Sequence, residues 1–227
     1  MIAPKVMLTA GHCVAEAGNI NDVTYVRFEE NALSGIGNYG SLQEWLDAEW
    51  LAVETVIPHP MWNDYAEFPN TYDIGAVILF DPYIPLDSTG QPIFGELPDL
   101  GFLETLKGKD KNSFTVVGYG MQSNLKPFYQ DDYERYKGNV RLIEVKSYLT
   151  AGGAASAKFS NNPGIGGGTC YGDSGGPNFY ADTNIVSSVT SFGWAKNGKC
   201  VGNSFFYRTD TPDAQSFINN VLSDHGY

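Results

Sequence analysis

Short runs of β-branched and aromatic residues recur along this chain of 227 residues. They are bounded by Gly, Pro, Asn and Asp, which favour turns. We predict strands at residues 6–10, 23–28, 53–57, 73–80, 114–120, 139–145, 185–192 and 204–208. Many short, regularly spaced strands are typical of β-sandwiches and β-barrels. The sequence therefore predicts an all-β fold.

The end of the chain carries the pattern of an α-helix. Thr211 is a typical N-cap residue, Pro212 suits the first helical position, and Asp213 suits the positive end of the helix dipole. Apolar residues follow at helical spacing, at Ala214, Phe217, Ile218, Val221 and Leu222. They form one apolar face, so we predict a helix over residues 211–224 that packs on the β-structure.

Charge and hydropathy exclude two classes of partner. The 14 basic and 26 acidic residues give a net charge of −12, which repels the phosphates of nucleic acids. No run of about 18 apolar residues exists that could span a membrane, and residues 1–5 do not resemble a signal peptide. We therefore expect no nucleic acid and no membrane as a partner, and we interpret the acidic surface as serving solubility.

The string Gly172–Pro177, which reads Gly-Asp-Ser-Gly-Gly-Pro, is the strongest candidate for a chemical site. Glycines on both sides of Ser174 permit a loop that exposes the serine Oγ and lets a substrate approach closely. The N–H groups of Gly172 and Ser174 can converge on one point, as an oxyanion hole requires. The same string is also compatible with a plain flexible turn.

A nucleophilic serine requires a general base, and the chain has three histidines. We prefer His12 because it follows an apolar run and an abrupt glycine turn. His59 lies between two prolines, and His225 follows the final helix, where it suits the negative end of the helix dipole.

The base in turn requires an acid that orients it, and Asp73 is the preferred residue. It opens an otherwise apolar strand, where an unpaired buried carboxylate would cost several kcal/mol. A hydrogen bond to an imidazole would offset that cost. Asp64 and Asp81 are alternatives, but both lie in turn-like contexts beside Asn63 and Pro82.

Three segments resemble the signature segments of the chymotrypsin/trypsin family. They are residues 8–13 (Leu-Thr-Ala-Gly-His-Cys), residues 72–77 (Tyr-Asp-Ile-Gly-Ala-Val) and residues 172–177. Their order, His before Asp before Ser, is the order of that family. Residues 116–120 also resemble the start of the second barrel of the family, and residues 191–193 resemble its substrate-pairing strand.

The resemblance implies a serine endopeptidase that works through an acyl-enzyme. Ser174 would attack the scissile carbonyl, His12 would pass the proton to the leaving amine, and Asp73 would orient the imidazole. The N–H groups of Gly172 and Ser174 would form the oxyanion hole. We expect no cofactor and no catalytic metal, since no His/Cys/carboxylate cluster has ligand spacing. Whether a structural calcium ion binds near residues 29–30 stays open.

The family fold implies two Greek-key antiparallel β-barrels and a C-terminal α-helix within one peptidase domain over residues 1–227. Residues 85–111 contain three prolines and are the best candidate for the connection between the barrels. We place an incomplete N-terminal barrel at residues 1–98 and the connection itself at residues 99–111. The C-terminal barrel then covers residues 112–210, and the helix covers residues 211–224. Residues 31–50 look like an insertion, a loop followed by an acidic, Trp-containing stretch.

Cysteines and one aspartate carry further expectations from the resemblance. Cys170 and Cys200 match the pair that ties the active-site loop to the pocket wall, so we expect a disulfide between them. The family partner of Cys13 would lie on an upstream strand. Asp173 would pair with an N-terminus freed by cleavage, and Met1 does not begin a matching segment. We therefore expect an N-terminally truncated relative, with a disordered oxyanion loop and poor activity.

The resemblance also locates the specificity pocket. Gly168 falls at the pocket base, and Ser191 and Gly193 fall at its wall. Trypsin-like members carry an aspartate at the base, so Gly168 argues against a preference for Arg or Lys. We expect a neutral, apolar or small residue before the cleaved bond. Phe205 and Phe206 are candidates for narrowing the pocket.

Two other functions stay open. A non-catalytic or zymogen-like relative on the same fold would act as a binding module, although such relatives usually lose a triad residue. An esterase would use the same triad, but α/β-hydrolases place it in the order Ser, Asp, His. We expect a secreted monomer whose signal peptide lies outside this chain, with a polypeptide substrate and a protein inhibitor as its partners.

Overall fold

The structure, a computed structural model, describes residues 1–15, 25–124, 129–162, 164, 166–194 and 198–227. The strands are β1 (Val6–Thr9), β2 (Tyr25–Val26), β3 (Leu51–Pro58), β4 (Gly75–Leu79), β5 (Phe114–Gly118), β6 (Tyr136–Val140), β7 (Leu142–Glu144), β8 (Ser156–Asn161), β9 (Pro177–Tyr180), β10 (Val186–Trp194) and β11 (Gly202–Arg208). The α-helices are α1 (Gly11–Val14), α2 (Leu42–Glu49), α3 (Phe102–Thr105) and α4 (Pro212–Asp224). Short 3₁₀-helices lie at Ile36–Asn38, Gly108–Asn112 and Tyr148–Gly153.

The first sheet is antiparallel, with the strand order β1-β4-β3-β2. Strand β4 lies in its interior and every residue from Gly75 to Leu79 is buried, which explains the unbroken apolar run in the sequence. The register pairs Thr9, the last residue of β1, with Gly75, the first residue of β4. The segments that carry His12 and Asp73 therefore leave the same end of the sheet side by side.

The second sheet is also antiparallel and has the order β6-β5-β9-β10-β11-β8-β7. Its two edge strands, β6 and β7, are separated in the sequence by Arg141 alone. The sheet must therefore curl until its edges adjoin, and the Ser160 N–H donates to the Arg141 carbonyl at 2.8 Å across this junction. The prediction of one strand over residues 139–145 was wrong for this reason, because the chain changes sheet edge at Arg141.

Helix α4 confirms the helix predicted at the end of the chain. The Thr211 hydroxyl accepts a hydrogen bond from the Ala214 N–H at 3.3 Å, and Pro212 occupies the first turn. The apolar face of α4 shares one core with Val6 and Ile78 of the first sheet and with other residues of the second. Within the described part of the chain, the helices are too short or too polar to cross a membrane.

The segment at residues 31–50, expected to be a loop followed by an acidic stretch, contains helix α2. The Ser41 hydroxyl caps it by accepting from the Glu44 N–H at 3.2 Å, and Trp45 is the buried residue of this helix. The Arg27 guanidinium lies 5.4 Å from the centre of the Trp45 ring. The start of the strand predicted at 23–28 lies outside the described residues, and the segment boundaries at 98, 111 and 210 stay predictions.

Candidate active site

His12 and Asp73 form a hydrogen-bonded pair at the end of the first sheet. The backbone N–H of His12 donates to Asp73 Oδ1 at 2.8 Å, and His12 Nδ1 lies 2.9 Å from Oδ2 and 3.1 Å from Oδ1. The Asp73 side chain is fully buried, whereas the His12 side chain is 24% exposed. The carboxylate is thus held in the interior while the imidazole reaches the surface, as a base and its orienting acid require.

The alternative residues lie elsewhere. His59 Nε2 lies 3.3 Å from Asp213 Oδ2 at the start of α4, and His225 follows the end of that helix. Asp64 and Asp81 are exposed, and neither is bonded to a histidine in the described part of the chain.

Two further hydroxyl groups donate to Asp73. The Ser191 Oγ of β10 donates to Asp73 Oδ2, so this residue, expected only in the pocket wall, also fixes the carboxylate. The Tyr65 hydroxyl donates to the same oxygen at 2.9 Å and lies 3.3 Å from His12 Nδ1. No motif in the sequence points to Tyr65, which comes from the loop at residues 60–72.

The surroundings raise the pKa values of both the His12 imidazole and the Tyr65 hydroxyl. Burial by itself lowers the pKa of His12, but the interactions with Asp73, and then with Cys13, outweigh it and raise the pKa above its ordinary value of 6.5. Burial and the negative charge of Asp73 raise the pKa of Tyr65 far above its usual value of 10.0. Tyr65 is therefore a neutral hydroxyl donor at neutral pH.

The loop that carries Ser174 packs against the end of β1. A side chain at Gly175 would place its Cβ 2.1 Å from the Thr9 Oγ1, and the φ of Gly175 is +76°, so glycine is required on both counts. The Gly175 N–H donates to the Thr190 carbonyl of β10 at 2.8 Å. These contacts hold Ser174 between β10 and the strand that leads to His12.

Ser174 is available for chemistry in this arrangement. Its Oγ makes no hydrogen bond to any described residue, and it lies in the wall of an open cavity. The backbone N–H groups of Gly172 and Ser174 likewise have no acceptor among the described residues. Gly172 has a φ of +94°, a left-handed conformation that suits glycine. An oxyanion hole would need two such free donors. A nucleophile would need the free hydroxyl.

Asp173, the residue directly before Ser174, is partly buried. Its Oδ1 accepts from the Gly120 N–H at 2.9 Å, and its Oδ2 accepts from the Cys170 N–H at 2.8 Å. Cβ atoms at Gly118 and Gly120 would lie 2.0 Å and 2.6 Å from this carboxyl group, so both glycines are needed for its approach. Burial raises the pKa of Asp173, although the two N–H donors oppose the shift. Pairing with an N-terminal amine stays a prediction.

A cavity of about 270 Å³ opens beside Ser174. Ser191 and Gly193, two residues predicted for a specificity pocket, line this cavity, and its role as that pocket stays a prediction. The expected disulfide between Cys170 and Cys200 is present and forms part of the same wall. Cys13 is a free cysteine beside His12.

The base of this cavity differs from the expectation. Gly168 lines a neighbouring cavity, because the Asn161 side chain stands in the direction in which a side chain at position 168 would project. A Cβ at Gly168 would lie 1.3 Å from Asn161 Oδ1. Asn161 is the last residue of β8, and no motif in the sequence points to it.

Hydroxyl groups complete the base of the cavity. The Thr169 Oγ1 donates to the Ser204 Oγ at 3.0 Å, and both residues are buried. Phe205 and Phe206, which were candidates for narrowing the pocket, point into the protein instead. Phe205 stacks on Phe192 with 4.7 Å between the ring centres. The described lining residues include no Asp or Glu, and Lys199 is their charged member.

Metal-ligating side chains do not cluster in the described parts of the chain. No group of three or more His, Cys, Asp or Glu side chains converges there in a way that could hold a metal ion. Glu29 and Glu30, the candidate residues for binding a calcium ion, are exposed and do not form part of such a group.

Known proteins of three organisms are similar to this chain in sequence. A collagenase of Hypoderma lineatum is 28% identical over 206 residues, which cover 89% of this chain and 68% of the collagenase. A phenoloxidase-activating enzyme of Bombyx mori is 29% identical over 88% of this chain and 48% of that enzyme. A CLIP domain-containing serine protease, B15, of Anopheles gambiae is 27% identical over 78% of this chain and 48% of that protease. The chain thus spans about half the length of the last two relatives.

A solved structure and a family model also match this chain. The structure of HL collagenase matches with a TM-score of 0.61 and 22% identity, over 100% of this chain and 85% of that chain. At this identity the likeness establishes the fold, and it confirms the expected chymotrypsin-like architecture of two curled antiparallel sheets and a C-terminal helix. The family model described as Trypsin matches residues 1–213. This chain therefore belongs to the chymotrypsin/trypsin family of serine proteases.

Proposed function

We propose that this protein is a serine endopeptidase that cleaves peptide bonds through an acyl-enzyme formed on Ser174. The observation that carries the proposal is the pairing of His12 Nδ1 with the buried Asp73 carboxylate at 2.9 Å. The Ser174 hydroxyl makes no hydrogen bond to His12 or to any other described residue, and its loop packs against the strand that leads to His12. The His12–Asp73 pair leaves the other imidazole nitrogen, Nε2, to act as a general base.

The reaction would proceed in two halves. In the first, Ser174 Oγ bonds to the scissile carbonyl carbon while its proton passes to His12 Nε2, and the carbonyl oxygen becomes an oxyanion. The intermediate then collapses, the C–N bond breaks, and His12 returns the proton to the leaving amine. In the second half, a water molecule loses a proton to His12 and attacks the ester, and Ser174 regains its proton as the acid product leaves.

The buried carboxylate would favour the charged imidazole that forms during each half-reaction. Asp73 already raises the pKa of His12, which shows the direction of that stabilisation. The N–H groups of Gly172 and Ser174 would donate to the oxyanion, and each such donor is worth roughly 3 kcal/mol of transition-state stabilisation.

The cavity beside Ser174 supports a neutral residue before the cleaved bond and argues against Arg or Lys. The residues that line it include Asn161, Thr169 and Ser204 but no Asp or Glu, and the charged lining residue is the basic Lys199. An Arg or Lys side chain would be desolvated there without a counter-ion, which is costly. The volume of about 270 Å³ leaves room for a large side chain as well as a small one.

The setting of the enzyme follows from the same proposal. Its substrates would be polypeptides, and it would work as a secreted monomer that protein inhibitors can block. The disulfide between Cys170 and Cys200 supports an oxidising, extracellular location.

A peptidase assay tests the proposal. The wild type, Ser174→Ala and Ser223→Ala are compared on a quenched fluorescent peptide library with uncharged residues before the cleaved bond. Ser223 is an exposed serine of α4 and serves as the matched control. We expect hydrolysis by the wild type and by Ser223→Ala, and a loss of about 1000-fold or more in Ser174→Ala. Peptide binding without hydrolysis by the wild type would instead indicate a non-catalytic binding module.

A further inference from the structure

Resting on the proposed function, we propose that Tyr65 is a positioning residue for the His12–Asp73 pair and extends catalysis towards lower pH. The role belongs to the hydroxyl group, which acts on the imidazole through the carboxylate. Nothing in the three sequence segments that carry the family resemblance points to this residue.

The hydrogen bonds of Asp73 show why the Tyr65 hydroxyl matters. Oδ1 accepts from the backbone N–H of His12, while Oδ2 faces His12 Nδ1 and accepts from both Ser191 and Tyr65. The oxygen that pairs most closely with the imidazole is therefore shared with two neutral donors. Each neutral donor disperses negative charge that would otherwise be available to hold a proton on His12.

The backbone directs Tyr65 towards this position. Asp64 and Tyr65 have φ values of 55° and 60°, two consecutive left-handed residues that are not glycine. Such conformations are uncommon and persist where the surroundings enforce them. The Phe68 N–H donates to the Tyr65 carbonyl at 3.0 Å, which closes the turn.

Aromatic packing fixes the ring of Tyr65 independently of its hydroxyl. The ring meets Trp62 edge-on at 4.8 Å between centres, and it meets Phe192 of β10 edge-on at 5.9 Å. The variant Tyr65→Phe keeps these contacts and removes only the donor. It therefore separates the role of the hydroxyl from the packing of the loop.

The titratable groups that face the His12–Asp73 pair determine how Tyr65→Phe changes the protonation of His12. Asp73 and Cys13 favour the charged imidazole, and Tyr207 lies close enough to Asp73 for the two to interact electrostatically. Tyr65 remains protonated throughout, so it contributes a constant donor and no titration of its own. Without that donor, Asp73 holds the His12 proton more strongly. Because His12 acts as a base only when neutral, the acidic limb of activity must move to higher pH.

Kinetics as a function of pH test the proposal. For Tyr65→Phe we expect the acidic limb of kcat/KM to move up by about 0.5 to 1 pH unit. At pH 7 we expect kcat to fall by roughly 3- to 10-fold with KM within about 2-fold, and we expect the difference to shrink above the limb. A pH profile that superimposes on that of the wild type would overturn the proposal.

The matched control is Tyr72→Phe in the same loop. The Tyr72 hydroxyl accepts from the Asn70 side chain at 2.6 Å, and its ring stacks on His59. Removing this hydroxyl disturbs the loop without removing a donor to Asp73, so we expect an unchanged acidic limb. An equal shift in both variants would mean that loop packing, and not the Tyr65 hydroxyl, governs the limb.

A second measurement works without catalysis. In the Ser174→Ala background, the NMR titration of the His12 imidazole gives its midpoint directly, and Tyr65→Phe should raise that midpoint by about 0.5 to 1 unit. If the wild type hydrolyses no peptide but the midpoint still rises, the proposed function fails and the role of Tyr65 stands. If the wild type is a peptidase and the midpoint is unchanged, the role of Tyr65 fails.

Discussion

Asn161 and Thr169 are joined by two hydrogen bonds in opposite directions. The Thr169 N–H donates to Asn161 Oδ1, and Asn161 Nδ2 donates to the Thr169 carbonyl, both at 2.7 Å. The side-chain amide thus pairs with the backbone of the segment before Ser174 as a neighbouring strand would. Because Asn161 also fills the space in front of Gly168, an amide forms part of the base of the cavity.

Cleavage should favour neutral residues before the scissile bond. A cation in this cavity would lose its hydration without gaining a described carboxylate, so we expect Arg and Lys to be poorer than Leu, Met, Phe or Gln by about 100-fold in kcat/KM. Profiling with a peptide library that varies this residue measures the preference. Equal or better turnover of Arg and Lys would show that the cavity base has been misassigned.

A carboxylate placed at the base should change this preference. Ser204→Asp puts a negative charge beside the Thr169 hydroxyl, which lies 3.0 Å from the present Ser204 Oγ. We expect kcat/KM for Arg and Lys substrates to rise by roughly 10- to 100-fold, since the cation gains a counter-ion. The control is Ser204→Asn, which adds similar bulk without charge and should give no gain. A gain in both variants would assign the effect to pocket shape.

The pH profile of the wild type should reflect the His12–Asp73 pair. The pKa of His12 is raised above 6.5, and His12 must be neutral to accept the Ser174 proton. Activity is therefore expected to be low at pH 6, to rise as the pH passes through the raised value, and to reach its plateau on the alkaline side. An acidic limb of kcat/KM at or below pH 6.5 would contradict the charge stabilisation attributed to Asp73.

The buried Arg208 should be a major determinant of stability. Its guanidinium donates to Asp210 at 2.7 Å and 2.8 Å, to Glu104 at 2.5 Å and 2.9 Å, and to the Gly153 carbonyl at 2.6 Å. Arg208→Ala leaves a fully buried Asp210 carboxylate without its cation, which we expect to cost about 3 to 5 kcal/mol of unfolding free energy. Urea denaturation measures this loss. The exposed Arg141→Ala should cost less than about 0.5 kcal/mol, and similar losses in the two variants would refute the role of the network.

The disulfide between Cys170 and Cys200 should stabilise the active-site region. It closes a loop with a sequence separation of 30 residues. Replacing both cysteines with serine should lower the unfolding free energy by about 3 to 4 kcal/mol, since the unfolded chain regains that loop freedom. Cys13→Ser, at the free cysteine, is the control and should be much milder. A double variant as stable as the control would mean that the bridge adds nothing to stability.

Local sequence patterns predicted the elements that depend on local chemistry. The apolar run of β4, the cap at Thr211 and the face of α4 all follow from residue type and spacing, and the structure has them. Helix α2 could have been found by the same means, because Ser41 and Glu44 have the spacing of a capping box. The Ser41 hydroxyl accepts from the Glu44 N–H, and the Glu44 side chain accepts at 3.0 Å from the N–H of Gly40, one residue before the cap.

Contacts between distant segments could not be predicted in this way. Asn161 reaches Thr169 because β8 ends beside the segment before Ser174, and Tyr65 reaches Asp73 through a left-handed turn of non-glycine residues. Neither contact leaves a periodicity or a motif in the sequence. The alternating pattern of residues 139–145 likewise continues through Arg141, although the chain passes there from one edge of the sheet to the other.

Covalent labelling of the serine tests the central claim most directly. The wild type, His12→Ala and the control His225→Ala are treated with a fluorophosphonate, and the labelled peptide is identified by mass spectrometry. We predict that the label lies on Ser174 in the wild type and in His225→Ala, and that labelling is lost in His12→Ala. Absence of label from the wild type, label on another residue, or labelling of His12→Ala at the rate of the wild type would contradict a Ser174 nucleophile activated by His12.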